Sequence, residues 1–258
     1  MMPWRRLRVT KVGAARTAFV VLVFAALELL CRAGIINRVT MIPPTEMVGS
    51  LWDILRSGRF NSDIFFTLYN IVAAALLAII VGSLLGAGLH ALPRLRRPVE
   101  PLLSAYYAIP TFVFYPLLIV AFGIGRTALI VMGALFGVVA MIVNTTLGLD
   151  HVPSVVARTG SILKLGALRK LILIRLPAAA PHLMTGVKLA VAYSVIGIVA
   201  GEFILATAGI GKRVSFAYDN FDNQTMYGLL LLLLVGVMIV NGVLSAWEKR
   251  LHRRFGQR

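Results

Sequence analysis

The residues that could do chemistry are few and scattered. Four histidines, His90, His151, His182 and His252, share no ligand-like spacing, so no metal site is expected. The single cysteine, Cys31, excludes an intramolecular disulfide and a cysteine metal cluster. The stretch ATAGIGKR (206–213) resembles the end of a phosphate-binding loop. However, Ala206 stands where its first glycine belongs and Arg213 where Ser or Thr belongs. There is no nucleophile elbow, no HExxH and no paired-carboxylate arrangement. The expectation is a chain with no catalytic residue, no cofactor and no energy source of its own.

What remains are polar groups set inside apolar runs, where they are expensive and suggest function. Glu28 and Arg32, four apart, read as a helix ion pair reaching an interface. Lys188 is placed to snorkel to the membrane surface. Glu202, in VAGEF, faces a water-filled pathway or a partner, or caps an outer loop; the sequence leaves these open. Asn70, Asn144 and Asn241 read as helix–helix hydrogen bonds.

The elements that must position these groups are membrane spans. Of the 258 residues 59% are hydrophobic and 14% charged, with a mean hydropathy of +0.87. A soluble domain carries roughly 25% charged residues. The net charge of +16 does not imply nucleic acid, because basic nucleic-acid binders are not built from apolar runs of spanning length. Six stretches reach the ~20 apolar residues that a spanning helix needs: about 17–36, 64–89, 102–122, 127–147, 183–205 and 226–247. Lipid offers no partners to backbone polar groups, so these runs are helices. The first is expected to be an uncleaved span, since no small-x-small cleavage site follows it.

Basic residues orient the spans. They concentrate in residues 1–16, in the link holding Arg94, Arg96 and Arg97, in the link 151–181, and in residues 248–258. The intervening links hold few, or balance them with acids. The pattern predicts basic cytoplasmic tails at 1–16 and 248–258 and a transmembrane domain over 17–247, with both termini cytoplasmic. The charge therefore reports orientation. Gly82/Gly86, Gly133/Gly137 and Gly197/Gly201 are GxxxG pairs able to bring helices close together. Pro110 and Pro116 should kink the third span.

The segment LKLGALRKLILIRLPAAAPHLMTG (163–186) is greasy but is not a seventh span. Arg169 and Lys170 near its middle would cost ~5–7 kcal/mol together on the insertion scale. Gly160 and Gly166 offer helix breaks, and Pro177 and Pro181 are expected to stop the segment before the fifth span. Leu163, Leu165, Leu168, Leu171 and Ile172 give apolar faces for a partner groove, and a structured link of this length is usually functional.

Here a resemblance enters. LPAAAPHLMTGVKLAVAYSVIGIVAGEF (176–203) resembles the signature of binding-protein-dependent ABC transporter permeases, with Leu176, Pro177, Pro181, Gly186 and Glu202 in matching places. IPP at 42–44, YYAIPTFVFYPLLIVAFGIG at 106–125, GIG at 209–211 and the terminal NGVLSAWEKR extend it over most of the chain. It is most similar to the nitrate/sulfonate/taurine branch. Ile174 fits the family's cytoplasmic EAA loop. Lys164 stands where that loop has Gly and Arg158 where it has Glu, with Gly166–Ala167 the nearest Gly-Ala.

The resemblance implies an all-α integral membrane permease of the type I ABC importer, MetI-like fold, in the bacterial inner membrane. It implies a homodimer bearing two ATPase subunits and served by a solute-binding protein that delivers a small solute, such as a sulfonate or nitrate-like anion. The implied ATPase-coupling residues are Arg158, Gly160, Lys164, Leu165, Gly166, Ala167, Leu168, Leu176 and Pro177. The candidates for the translocation pathway are Tyr106, Tyr107, Thr111, Tyr193 and Glu202. The alternatives are a secondary transporter, which would show inverted repeats and a midplane ion site, or a non-transporting membrane component.

Overall fold

The computed structural model describes residues 4–153 and 166–255. Their regular elements are all helices, and the chain divides into two compact units, Met1–Asn61 with Arg213–Leu233, and Ser62–Lys212 with Leu234–Arg258. Four helices are long and apolar enough to cross a membrane: Asn61–Ala91, Arg126–Asp150, Leu171–Ile204 and Asn223–Arg250. A bent pair, Pro93–Tyr106 with Thr111–Phe122, makes a fifth if counted as one span.

In the first unit, α1 (Trp4–Arg32) covers most of the first expected span. The link after it holds an unforeseen helix, α2 (Pro44–Ser57). Pro44 starts α2, where its missing N–H is no loss, and Gly58 ends it in the left-handed conformation (φ 63°). Glu28 does more than pair with Arg32 (2.6 Å): it also accepts hydrogen bonds from the Thr45 N–H and hydroxyl at the start of α2.

The second unit is built on α3 (Asn61–Ala91), α6 (Arg126–Asp150) and α8 (Leu176–Leu205). All three GxxxG pairs lie on packed faces. A Cβ at Gly82 would fall 2.6 Å from the Met141 Cβ and 2.8 Å from the Val138 carbonyl. One at Gly137 would meet the Ala190 carbonyl at 2.7 Å, and one at Gly197 the Gly133 Cα at 2.9 Å. Small residues are used here because helix backbones in lipid associate by close packing.

Two expectations are corrected. The third span is broken, not kinked: α4 (Pro93–Tyr106) and the piece Thr111–Phe122, a 3-10 turn followed by α5 (Tyr115–Phe122), meet at 98°. Pro110 lacks a donor and biases Ile109 out of the helical region, while Pro116 sits harmlessly in the first turn of α5. Nor do Pro177 and Pro181 separate the loop from the fifth span. Helix α7 (Ala167–Lys170) runs through a π-helical turn (Leu171–Arg175) straight into α8. In that turn the Leu176 N–H reaches back to the Leu171 carbonyl. The widened turn makes room for the proline ring just beyond it. Pro181 lies inside α8, on a stretch held by the close approach of Gly148 on α6 to Ala179 and His182.

Gly82→Ala is expected to cost about 1–3 kcal/mol by overpacking. Gly88→Ala, on the same helix with nothing within 4 Å of the added carbon, should be neutral or stabilising. Thermal unfolding of the two variants in detergent checks the contrast.

Candidate functional site

Four of the five pathway candidates come together. Tyr106 ends α4, Tyr107 follows it, Thr111 opens the 3-10 turn and Tyr193 lies on α8. They line one cavity of about 310 Å³ with Phe112, Phe136 and the apolar side chains around them. The break in the third span creates it, because it turns the end of α4 toward α8. Tyr106 and Tyr107 pack edge-on with centroids 6.0 Å apart, and Tyr107 tilts against Tyr193 at 5.7 Å. The Tyr106 hydroxyl donates to the Leu135 carbonyl (3.0 Å). The residues lining the cavity include no Asp, Glu, Lys, Arg or His, and their polar side-chain groups are the neutral hydroxyls of Tyr106, Tyr107, Thr111 and Tyr193.

Glu202 does not join them. It is fully buried and clamps the start of α9 (Ile210–Asp219). Its carboxyl accepts from the Thr67 hydroxyl (2.7 Å), the Asn70 amide (3.5 Å) and the Gly211 N–H (3.1 Å). Asp63 accepts from the Gly209 N–H (3.0 Å), and the Thr67 hydroxyl oxygen accepts from the Ile210 N–H (2.8 Å). Three successive N–H groups at a helix start, which have no intrahelical partner, are thus satisfied by three side chains. Gly209 is required at this point: its φ is +108°, and a Cβ would overlap the Glu202 carboxyl. The same backbone groups would cradle phosphate in a true phosphate loop. Here Asp63, Thr67 and Glu202 already occupy them.

Asp63 and Thr67 were missed in the sequence. Their signal is a stripe on α3, with Asp63, Thr67, Asn70, Ala74, Ala78, Gly82 and Gly86 at steps of three and four, all buried. Of the coupling residues, Arg158, Gly160, Lys164 and Leu165 lie outside the described residues. Gly166 is exposed and directly precedes α7, its carbonyl accepting from the Lys170 N–H (2.9 Å). Ala167 and Leu168 lie in α7, and Leu176 and Pro177 open α8. Among the described residues no three of His, Cys, Asp and Glu are grouped to hold a metal ion.

Residues 74–257 match the family described as binding-protein-dependent transport system inner membrane component. The chain belongs to this family. It resembles the nitrate import permease protein NrtB of Leptolyngbya laminosa, 25% identical over 206 residues, 76% of this chain and 74% of that protein. It also resembles the taurine transport system permease protein TauC of Escherichia coli, 27% identical over 227 residues, 84% and 81% of the two chains. Its fold is that of a chain of the inward-facing MetNI methionine ABC transporter, with a TM-score of 0.65 at 18% identity over 78% of this chain and 96% of that one. The protein is therefore a multi-pass inner-membrane permease subunit of an ABC importer, with a MetI-like fold. It is not an enzyme, and ATP hydrolysis takes place on a separate ATPase.

Glu202→Ala strands the donors of Thr67, Asn70 and Gly211, and each buried unpaired donor costs about 1–3 kcal/mol. Glu202→Gln, which keeps an acceptor oxygen, should lose much less. Chemical unfolding in detergent, together with protease sensitivity of the 206–211 turn, reads the difference.

Proposed function

We propose that this permease forms the pathway for a small anion, such as a sulfonate or nitrate-like compound, released by a solute-binding protein. Two copies of the chain pair, and two ATPase subunits dock on their loops at 151–181. The basic tails 1–16 and 248–258 and the loop lie on the cytoplasmic side, as their Lys and Arg content supports. The domain 17–247 crosses the membrane between them.

The observation that carries this reading is the unbroken helical rod from Ala167 through the π turn to Leu205. It gives the loop a stiff connection to Tyr193 and, further along, to Glu202. Force applied at the exit of the loop reaches the cavity wall without crossing a flexible joint. ATPase closure then rocks the spans between inward- and outward-open states.

The cavity supports the substrate class. Tyr107 and Tyr193 bring hydroxyl donors and positive ring edges to it, and no carboxylate among its lining residues repels an anion. No fixed cation traps one either, and a conduction pathway has to release what it binds. Nitrate and taurine are transported by similar permeases, as their names state, which supports the same class.

Replacing residues 163–170 with a Gly/Ser linker is expected to abolish co-purification of the ATPase in mild detergent under any nucleotide condition. Retention of the complex together with unchanged transport refutes the docking assignment. Calorimetric titration of the cognate binding protein with nitrate, taurine and neutral analogues tests the substrate. Preference for the neutral compounds would sink the anion reading.

A further inference from the structure

A second cluster of charged side chains lies away from the cavity. Asp150, the last residue of α6, accepts from the Arg96 guanidinium (2.6 Å) in the first turn of α4 and from Nδ1 of His90 (2.8 Å) near the end of α3. The Arg175 guanidinium, closing the π-helical turn, lies 3.3 Å from Nε2 of the same histidine. One imidazole can serve both neighbours only as the tautomer with its proton on Nδ1, donating to Asp150 and accepting from Arg175. The result is a line of guanidinium, imidazole, carboxylate and guanidinium that crosses four elements. Glu100 shares Arg96 at 3.5 Å.

We propose that Arg175, His90, Asp150 and Arg96 form a charged joint that passes movement of the loop exit to the ends of α3, α4 and α6. These are positioning residues, and the proposal rests on the reading of 151–181 as the ATPase dock. The rod carries motion along α8 and, by its packing, to α6. The joint adds α3 and α4, because a shift of Arg175 acts on the imidazole it touches and a turn of the imidazole releases Asp150.

Packing beside the joint is tight. A Cβ at Gly148 of α6 would lie 2.9 Å from the His182 Cβ and 3.4 Å from the Ala179 carbonyl, and the His151 and His182 rings stack at 4.9 Å. The side chains of His90, Arg96 and Asp150 keep 20–30% of their surface exposed. Ion pairs this wet contribute little to stability, so their value lies in fixing orientation.

The test uses the whole transporter, permease with its ATPase, in lipid nanodiscs. A Cys31→Ser, Tyr107→Cys background supplies one reporter thiol at the cavity, read by its labelling rate with a water-soluble maleimide. In that parent, trapping nucleotide with vanadate is expected to change the rate about tenfold as the populations of the two states exchange. Asp150→Asn should keep the ATPase complex and the trapped nucleotide while shrinking the response to about twofold or less, and in the complexes it forms Arg175→Ala should shrink the response likewise. Arg175→Lys, which keeps a cationic donor, should restore most of it.

A full response in both Asp150→Asn and Arg175→Ala overturns the joint. So does loss of the ATPase complex in Asp150→Asn, which would make the cluster part of the dock. No ATPase complex in the parent overturns the docking reading instead.

Discussion

The structure depends on how closely helix backbones approach one another in α3, α6 and α8. In lipid, apolar side chains gain nothing by leaving one greasy surface for another, so the spans must be held by contact and by the few polar bonds they share. Gly82, Gly86, Gly133, Gly137, Gly197 and Gly201 leave no room for a side chain. That closeness puts Thr67 and Asn70 of α3 within reach of Glu202 on α8. It also puts the ends of α3 and α6 where His90 meets Asp150.

Two polar clusters result, and they differ in kind. The Glu202 cluster is buried, and the N–H groups of Gly209, Ile210 and Gly211 each have an assigned side-chain acceptor. It fixes the turn after α8 and occupies three of the N–H groups an incoming anion would need. The His90 cluster is partly wet and open to rearrangement. The aromatic cavity falls between these types, with neutral rings and hydroxyls that are suited to passing a solute along.

Much of this was legible in the sequence. Four of the six expected spans coincide with single helices long and apolar enough to cross a membrane, because the cost of an unpaired backbone group in lipid allows only helices. The glycine pairs announced their faces by spacing alone. The combined motifs from Ile42 to Arg250 identified the family. The prolines misled, because their effect depends on position: Pro110 broke a helix, whereas Pro177 entered one behind a widened turn. The Glu202 clamp was half visible. Glu202 stood out as a carboxyl in an apolar run, but its partners Asp63 and Thr67 lie more than a hundred residues away, on a helix whose polar stripe blended into small residues. No local pattern encodes such a pairing.

The stretch from Leu171 to Ile204 is 34 residues of continuous helix, about 50 Å at 1.5 Å per residue. A hydrocarbon core of about 30 Å cannot contain it, so a good part of this rod stands clear of the lipid. Gly148, Gly186 and Gly137 mark where α6 grips it from the side. The seam continues to Gly197 against Gly133 and Gly201 against Leu129, so beyond Ala179 the bar and α6 run together as one paired strut. Neither helix of such a strut can bow away by itself, since parting the seam would leave glycine faces with nothing to fill the gap.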